Sequence, residues 1–257
     1  MNPIKNKVIV VTGGSRGMGK AFSIKLASEG FHIIILARTE SGLNNTVDEI
    51  HANGFSAEYH ICDLSDQKKV TEVSQKILTV HKSIYGLINT SGISGQNFIT
   101  DHEDGLWENV IKTNLNGTYY ITKALSNNIE NGGRIVIVSS VLGKFGVPGY
   151  AAYCTTKHGL IGFTRTLALE LAPRKITVNA ICPGWVNTEM SQQGMQFAAD
   201  QLKITKDEFW KMASQSVPLR DVIEPEEIAH LVSFIVNPQT KNLTGQAITY
   251  DGGQVMY

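Results

Sequence analysis

Cysteine is scarce: the 257 residues hold only Cys62, Cys154 and Cys182, far apart and with no Cys-x-x-Cys pair. That pattern excludes a disulfide scaffold, a cysteine zinc site and a dithiol redox centre, and leaves small buried hydrophobes as the reading. The seven histidines are scattered and form no His-Glu-x-x-His pair, so no metal is assigned. Charge of one sign is also missing, since 23 Lys and Arg balance 23 Asp and Glu. Without a net field, neither nucleic acid nor an anionic membrane is an expected partner. No apolar run reaches the roughly 20 residues of a membrane span. The N-terminus MNPIKNK passes straight into VIVVTGG, which leaves no stretch for a signal peptide. A soluble, cytoplasmic protein is expected. Repeats, linkers and low-complexity segments are absent, so residues 1–257 read as a single domain, long enough to bury a large core.

What is present is a recurrence of short β-branched runs: Lys7 to Val11, Ile33 to Leu36, Glu58 to Ile61, Ile84 to Ile88, Ile135 to Val138, Lys175 to Ile181 and Ala247 to Tyr250. The apolar ones show no polar alternation, which suits strands covered on both faces of a parallel sheet. Between them lie segments of helical spacing. Leu43, Val47 and Ile50 mark Ser41 to Asn53, a second helix runs from Leu106 to Leu125, and Leu160, Phe163, Leu167 and Leu171 mark a third. Alternating strands and helices predict an α/β fold, a doubly wound parallel sheet with helices on both faces. Glu189 to Val217 is the least regular stretch, carrying Met190, Met195, Phe197, Phe209, Trp210 and Met212. It reads as a substrate loop or lid at the ligand edge, or as a pair of core-packing helices. Pro225-Glu226-Glu227 marks a helix start.

Three stretches carry chemistry. The first strand runs into Thr12-Gly13-Gly14-Ser15-Arg16-Gly17-Met18-Gly19 and then a helix. Glycines there permit a tight turn and close approach of a diphosphate, while the helix N-terminus offers free N–H groups. The strand Ile135 to Val138 ends in Ser139-Ser140, at the sheet edge where ligands of open α/β folds sit. Tyr153 and Lys157 follow, four apart and so on one helix face. A cation beside a phenol lowers its pKa, so the spacing predicts a more acidic tyrosine. The second strand ends in Ala37-Arg38 with no acid to meet a ribose 2′-hydroxyl, and Arg38 with Arg16 suits a 2′-phosphate. Asp63 fits an N-cap of the helix after the third strand or a ligand contact.

The spacing Thr-Gly-x-x-x-Gly-x-Gly, followed in order by Asn114, Ser140, Tyr153 and Lys157, resembles the short-chain dehydrogenase/reductase family, and the resemblance covers the whole chain. It implies a Rossmann-like fold and NADPH/NADP+ as cofactor. In this resemblance Gly13, Ser15, Gly17, Met18 and Gly19 form the cofactor-binding turn, and Arg16 and Arg38 meet the 2′-phosphate. Asp63 and Leu64 flank the adenine, while Asn89, Ser91 and Gly92 pass beside the nicotinamide ribose. Pro183 and Gly184 shape the nicotinamide pocket, with the Val186 backbone at the carboxamide and Thr188 at the carboxamide or the diphosphate. Ser140 and Tyr153 then act on a carbonyl oxygen, Lys157 binds the ribose, and Asn114 distorts its helix so that water links Lys157 to solvent. The family usually has Asn-Asn-Ala-Gly where this chain has Asn89-Thr90-Ser91-Gly92.

The segments GLWENVIKTNLNGTYYITKAL and YAAYCTTKHGLIGFTRTLALELA resemble bacterial 3-oxoacyl reductases, and most closely the ketoreductases of aromatic polyketide synthesis. The implied substrate is a small-molecule ketone or an acyl or polyketide thioester, free or held on an acyl carrier protein. Of the Pro-Gly-Gly element of that subgroup, Ile93-Ser94-Gly95-Gln96 keeps one glycine. A homodimer or homotetramer is implied as well. The alternatives are a secondary-alcohol or hydroxyacid dehydrogenase, or a non-catalytic NADP-binding sensor or assembly protein.

Overall fold

Val, Ile and Leu dominate the short runs because each such strand is covered on both sides, and the computed structural model shows which helices do the covering. It describes residues 4–100 and 104–256. In chain order the elements are β1 (Val8–Thr12), α1 (Gly17–Ser28), β2 (His32–Ala37), α2 (Glu40–Ala52), β3 (Ala57–Ile61) and α3 (Gln67–His81). Then come β4 (Ile84–Asn89), α4 (Gly105–Val110), α5 (Gly117–Ser126), β5 (Ile129–Val138), α6 (Ala151–Leu171) and β6 (Thr177–Pro183). The chain closes with α7 (Glu189–Leu202), α8 (Lys206–Ala213), α9 (Pro225–Val236) and β7 (Ala247–Tyr250).

The seven strands form one parallel sheet in the order β3-β2-β1-β4-β5-β6-β7. Successive residues of each strand feed opposite cores. Ile9, Val11, Ile33 and Ile35 meet Phe22 and Leu26 of α1, Leu43 and Val47 of α2, and Ile228 and Val232 of α9. Val10, Ile34, Ile135 and Ile137 meet Val73 and Ile77 of α3, Ile121 and Leu125 of α5, and Leu160 and Leu167 of α6. The expected doubly wound sheet with helices on both faces is therefore observed.

Several boundaries differ from expectation for local reasons. β5 begins six residues earlier than its apolar core, at Ile129, because Gly132 (φ 79°) and a register shift let a polar Glu-Asn-Gly-Gly segment stay in the sheet. β6 starts at Thr177 and not at Lys175, whose left-handed φ of 55° closes the preceding turn. The helix expected from Leu106 to Leu125, distorted at Asn114, is interrupted between α4 and α5 by a π-helical turn, Ile111–Asn116, that contains Asn114. Residues 189–217 are helical: α7 buries Met195 and Ala199, and α8 opens on a Thr205–Glu208 capping box. Asp66, not Asp63, caps α3, its Oδ1 accepting from the N–H groups of Lys68 (2.9 Å) and Lys69 (3.1 Å). Asp63 instead accepts from the N–H of Ser65, two residues on, at 2.9 Å.

Candidate active site

The chain winds one way through β1, β2 and β3, then crosses to β4, so the strand order reverses between β1 and β4. Ligands of open α/β sheets bind at such a reversal, beyond the carboxyl ends of the strands. Here those ends are clamped together. Thr12 Oγ1 accepts from the N–H groups of Thr90 (3.1 Å) and Ser91 (3.2 Å), and the Thr90 hydroxyl donates to the Thr12 carbonyl. The two residues that depart from the usual Asn-Asn-Ala-Gly are thereby tied onto β1. Glycine is required in the turn: Gly13 sits at φ 70°, and a Cβ on Gly19 would fall 2.3 Å from the Gly13 carbonyl oxygen.

Two cavities meet above this edge. The first, of about 430 Å³, is lined by Gly13, Ser15, Arg16, Gly17, Met18 and Gly19 below, by Arg38, Asp63 and Leu64 at one end, and by Ser91 and Gly92 at the other. α1 starts on it with no side-chain cap and no acid in its first turn, so its free N–H groups and positive dipole end suit a diphosphate. Exposed Arg38 stands at the end of β2 beside the hydroxyls of Ser15, Thr39 and Ser41. Among the described residues no carboxylate pairs with it, and the donor set fits a 2′-phosphorylated dinucleotide. Arg16 lines the same cavity, and its guanidinium pairs with the Glu189 carboxylate, which lines it too.

The second cavity, of about 350 Å³, is lined by Ser140, Tyr153, Pro183, Gly184 and Val186, with Met18, Thr188 and Met190 shared between the two. Its outer wall is apolar and aromatic, from Phe145, Tyr150, Trp185 and Phe209. Thr188 has a structural task as well, its hydroxyl accepting from the Ser191 N–H at 3.3 Å to cap α7. Asn89 and Lys157 are the expected contacts that line neither cavity; Asn89 is buried and donates to the Thr122 hydroxyl at 3.1 Å.

Ser140 and Tyr153 come from different elements and line the same cavity, with the Ser140 hydroxyl close enough to act on the phenol. Ser140 is placed by the end of β5, where its Oγ also accepts from the Leu142 N–H at 3.1 Å. Tyr153 is placed by the first turn of α6. Ser139, its sequence neighbour, points the other way and donates to the Lys157 carbonyl at 2.8 Å, which fastens α6 against β5. Gly143 permits that approach, since a Cβ there would lie 2.5 Å from Ser139 Oγ.

Lys157 is buried, with its Nζ donating to the Val138 carbonyl at 2.9 Å and lying 5.3 Å from the Tyr153 ring centroid. Loss of hydration pushes its pKa down to about 8. The expected lowering of the tyrosine is not found. Burial pushes Tyr153 up to about 12, and the Ser140 hydrogen bond pulls it only partly back. Taking a phenolate out of water outweighs a cation that is turned to a backbone carbonyl.

Asn114 lies in the π-helical turn, fully buried. Its Oδ1 accepts from the Ile93 N–H (2.8 Å) and its Nδ2 donates to the Ile93 carbonyl (2.9 Å), so the amide pairs with a loop as another strand would. A Cβ on Gly92 would come within 3.3 Å of Asn114 Oδ1 and 3.8 Å of Lys157 Nζ, so three expected residues converge behind the first cavity. Asn114→Ala is expected to leave both Ile93 groups unpaired and to lower the unfolding free energy by about 2–3 kcal/mol. Urea denaturation of both proteins measures this.

Sequence reading missed Thr12, Ser139, Glu189 and Tyr150. Thr12 sat in the motif and Ser139 beside a chosen residue, but nothing local distinguishes a clamp from a filler. Glu189 and Tyr150 acquire their places only through packing.

A family model described as short chain dehydrogenase matches residues 7–198. The chain is 36% identical over 257 residues, 98% of each chain, to a monensin polyketide synthase putative ketoacyl reductase of Streptomyces virginiae. It is 34% identical over 255 residues to a 3-oxoacyl-[acyl-carrier-protein] reductase of Buchnera aphidicola, covering 98% of this chain and 99% of that one. Among solved structures, a variant of actinorhodin polyketide ketoreductase with NADPH superposes with a TM-score of 0.93 at 33% identity, covering 98% of each chain.

Proposed function

The chain belongs to the short-chain dehydrogenase family, and on that premise we propose that it is an NADPH-dependent ketoreductase that converts the β-keto group of an acyl or polyketide thioester to a secondary alcohol. The observation that carries this is the convergence of Ser140 and Tyr153 on the substrate-sized cavity that adjoins the cofactor-sized one. Bound NADPH supplies a hydride. Ser140 donates a hydrogen bond to the carbonyl oxygen as negative charge grows on it, and Tyr153 gives that oxygen its proton. With its pKa held at about 12, Tyr153 is fully protonated at neutral pH and so is a ready acid for reduction. Lys157 holds positive charge next to it, and Asn114, paired with Ile93, keeps the helix open around Lys157 for proton return.

Cofactor contacts follow the two cavities: the Gly13–Gly19 turn with Ser15 and Met18 for the diphosphate, Arg38 for the 2′-phosphate, and Asp63 with Leu64 for the adenine. Arg16 joins through its pairing with Glu189, which closes the mouth. Ser91, Gly92, Pro183, Gly184, Val186 and Thr188 surround the nicotinamide end. Asn89 acts from behind, through its bond to α5. The helical pair α7–α8 serves as the lid of the one domain, with Met190 and Phe209 against substrate.

A thioester substrate reaches this cavity free or on a carrier protein. Exposed Tyr119 and Leu169 on α5 and α6, with β7 at the sheet edge, support a dimer or tetramer. No helix among the described residues is long and apolar enough to cross a membrane, and a cytoplasmic location is the reading that goes with it.

The test is NADPH oxidation by the purified chain with a β-keto thioester or a decalone. No turnover with any β-keto thioester or cyclic ketone sinks the proposal. In the same assay Arg38→Glu is expected to weaken NADPH by at least roughly tenfold relative to NADH, since it replaces a charge-assisted bond to phosphate with repulsion. An unchanged NADPH-to-NADH ratio would remove Arg38 from the site.

A further inference from the structure

At the amino end of the sheet, far from both cavities, three of the seven histidines gather around one carboxylate. The periods of two elements bring them there. Glu58 and His60 are two apart on β3, so they share a face. Ile34 pairs with Glu58, which puts His32, two residues before Ile34, on that same face. His81 closes α3 one turn beyond the buried Ile77, and so drops onto the same spot. The Nε2 atoms of His81, His60 and His32 lie 3.0, 3.5 and 3.8 Å from Glu58 carboxylate oxygens. His51 is turned instead to the Ala57 carbonyl at 2.9 Å.

We propose that His32, Glu58 and His81 form a binding site for a divalent transition-metal ion of the Zn²⁺ class, with His60 or water as fourth ligand. The ligand atoms of the three all lie within 4.8 Å of one another. Ligands about 2.0–2.1 Å from a tetrahedral ion stand about 3.3 Å apart, close to the spacings seen here. Two imidazole nitrogens and a carboxylate are a donor set that suits zinc and its neighbours and does not suit magnesium or calcium.

The nitrogens are also presented for it. His32 Nδ1 bonds the Ser56 hydroxyl at 2.7 Å, which fixes the ring and leaves Nε2 as its free atom. His32 Nε2 and His60 Nε2 are both buried without a hydrogen-bond partner, an arrangement that costs stability unless something accepts their lone pairs. The His32 and His81 rings stack at 5.2 Å, so the two nitrogens keep one orientation. An ion here ties the edge strand β3 and the end of α3 to β2. It is separated from the cofactor edge by the length of β2, about 17 Å for a five-residue rise, so its role is structural.

The untagged full-length chain is titrated with ZnCl₂ and, in parallel, with MgCl₂, by calorimetry and by melting temperature. One Zn²⁺ per chain and a raised melting temperature are expected, with no response to Mg²⁺. Glu58→Gln and His81→Gln should each weaken Zn²⁺ by at least roughly tenfold, while His230→Gln, at an exposed position of α9, leaves it unchanged. Ketone reduction by NADPH should be unaffected by either ligand variant, which keeps this site separate from the catalytic reading. An isotherm that needs no specific site, or one that neither ligand variant alters, overturns the proposal. If both variants fail to fold, Co²⁺ added to the unmodified chain decides: strong visible absorption of a tetrahedral site supports it, and its absence overturns it.

Discussion

Tyr153→Phe is expected to lower kcat for ketone reduction by about 10²–10⁴-fold, the range that one positioned general acid supplies. The substitution keeps the ring in its edge-on contact with Tyr150, at 6.4 Å between centroids, and deletes only the hydroxyl that meets Ser140. Melting temperature should therefore change little, and NADPH binding should fall far less than kcat. The direction of the tyrosine pKa adds a second expectation. Because burial holds the phenol up at about 12, the proton to be donated is in place across the neutral range, and the reduction rate should show no loss from tyrosine ionisation up to pH 9. Stopped-flow turnover of NADPH from pH 6 to 9 measures both. A variant that kept more than roughly a tenth of the rate would take Tyr153 out of the acid role.

Lys157→Met separates activity from stability, which should move in opposite directions. Methionine fills the buried volume but has neither charge nor donor, so ketone reduction should fall by at least roughly a hundredfold. The folded protein holds the lysine at about 8 against an ordinary value of 10.5. Below pH 8 both folded and unfolded chains carry its proton, and the folded state bears the full cost of a buried ammonium, about 3 kcal/mol. Between pH 8 and 10.5 the unfolded chain binds more protons than the folded one. Stability from this group thus rises with pH through that window, by up to about 1.4 kcal/mol per unit. The unfolding free energy of the wild type minus that of Lys157→Met should accordingly increase by about 3 kcal/mol from pH 8 to 10.5. The lost bond to the Val138 carbonyl offsets part of the variant's gain at neutral pH, at about 1 kcal/mol or more, but does not change with pH. Urea denaturation at pH 7.5 and pH 10 reads the difference, and an unchanged difference would mean that Lys157 is not held low.

Much of the fold was legible because its signals are local. A strand covered on both faces must be apolar at every position, so VIVVT and HIIILA announce themselves. A helix that starts at a phosphate-sized turn needs glycine where φ is positive or a backbone comes within 3 Å, and Gly13 meets the first condition and Gly19 the second. Tyr153 and Lys157 share a helix face by spacing alone. The boundaries that moved were those set by partners: β5 grew backward through polar residues because β4 lay alongside to bond them.

Neighbouring residues thus determined the seven strands, the glycine turn and the shared helix face of Tyr153 and Lys157, since stereochemistry and periodicity act over one or two turns of chain. Only tertiary structure decided the rest. It raised Tyr153 where spacing said it would fall, because solvation depends on everything packed around a group. It turned Arg16 to Glu189, 173 residues away, and folded 189–217 into helices over the cavity. It also drew His32, Glu58 and His81 from three separate elements to one point, an encounter that no single stretch of sequence contains.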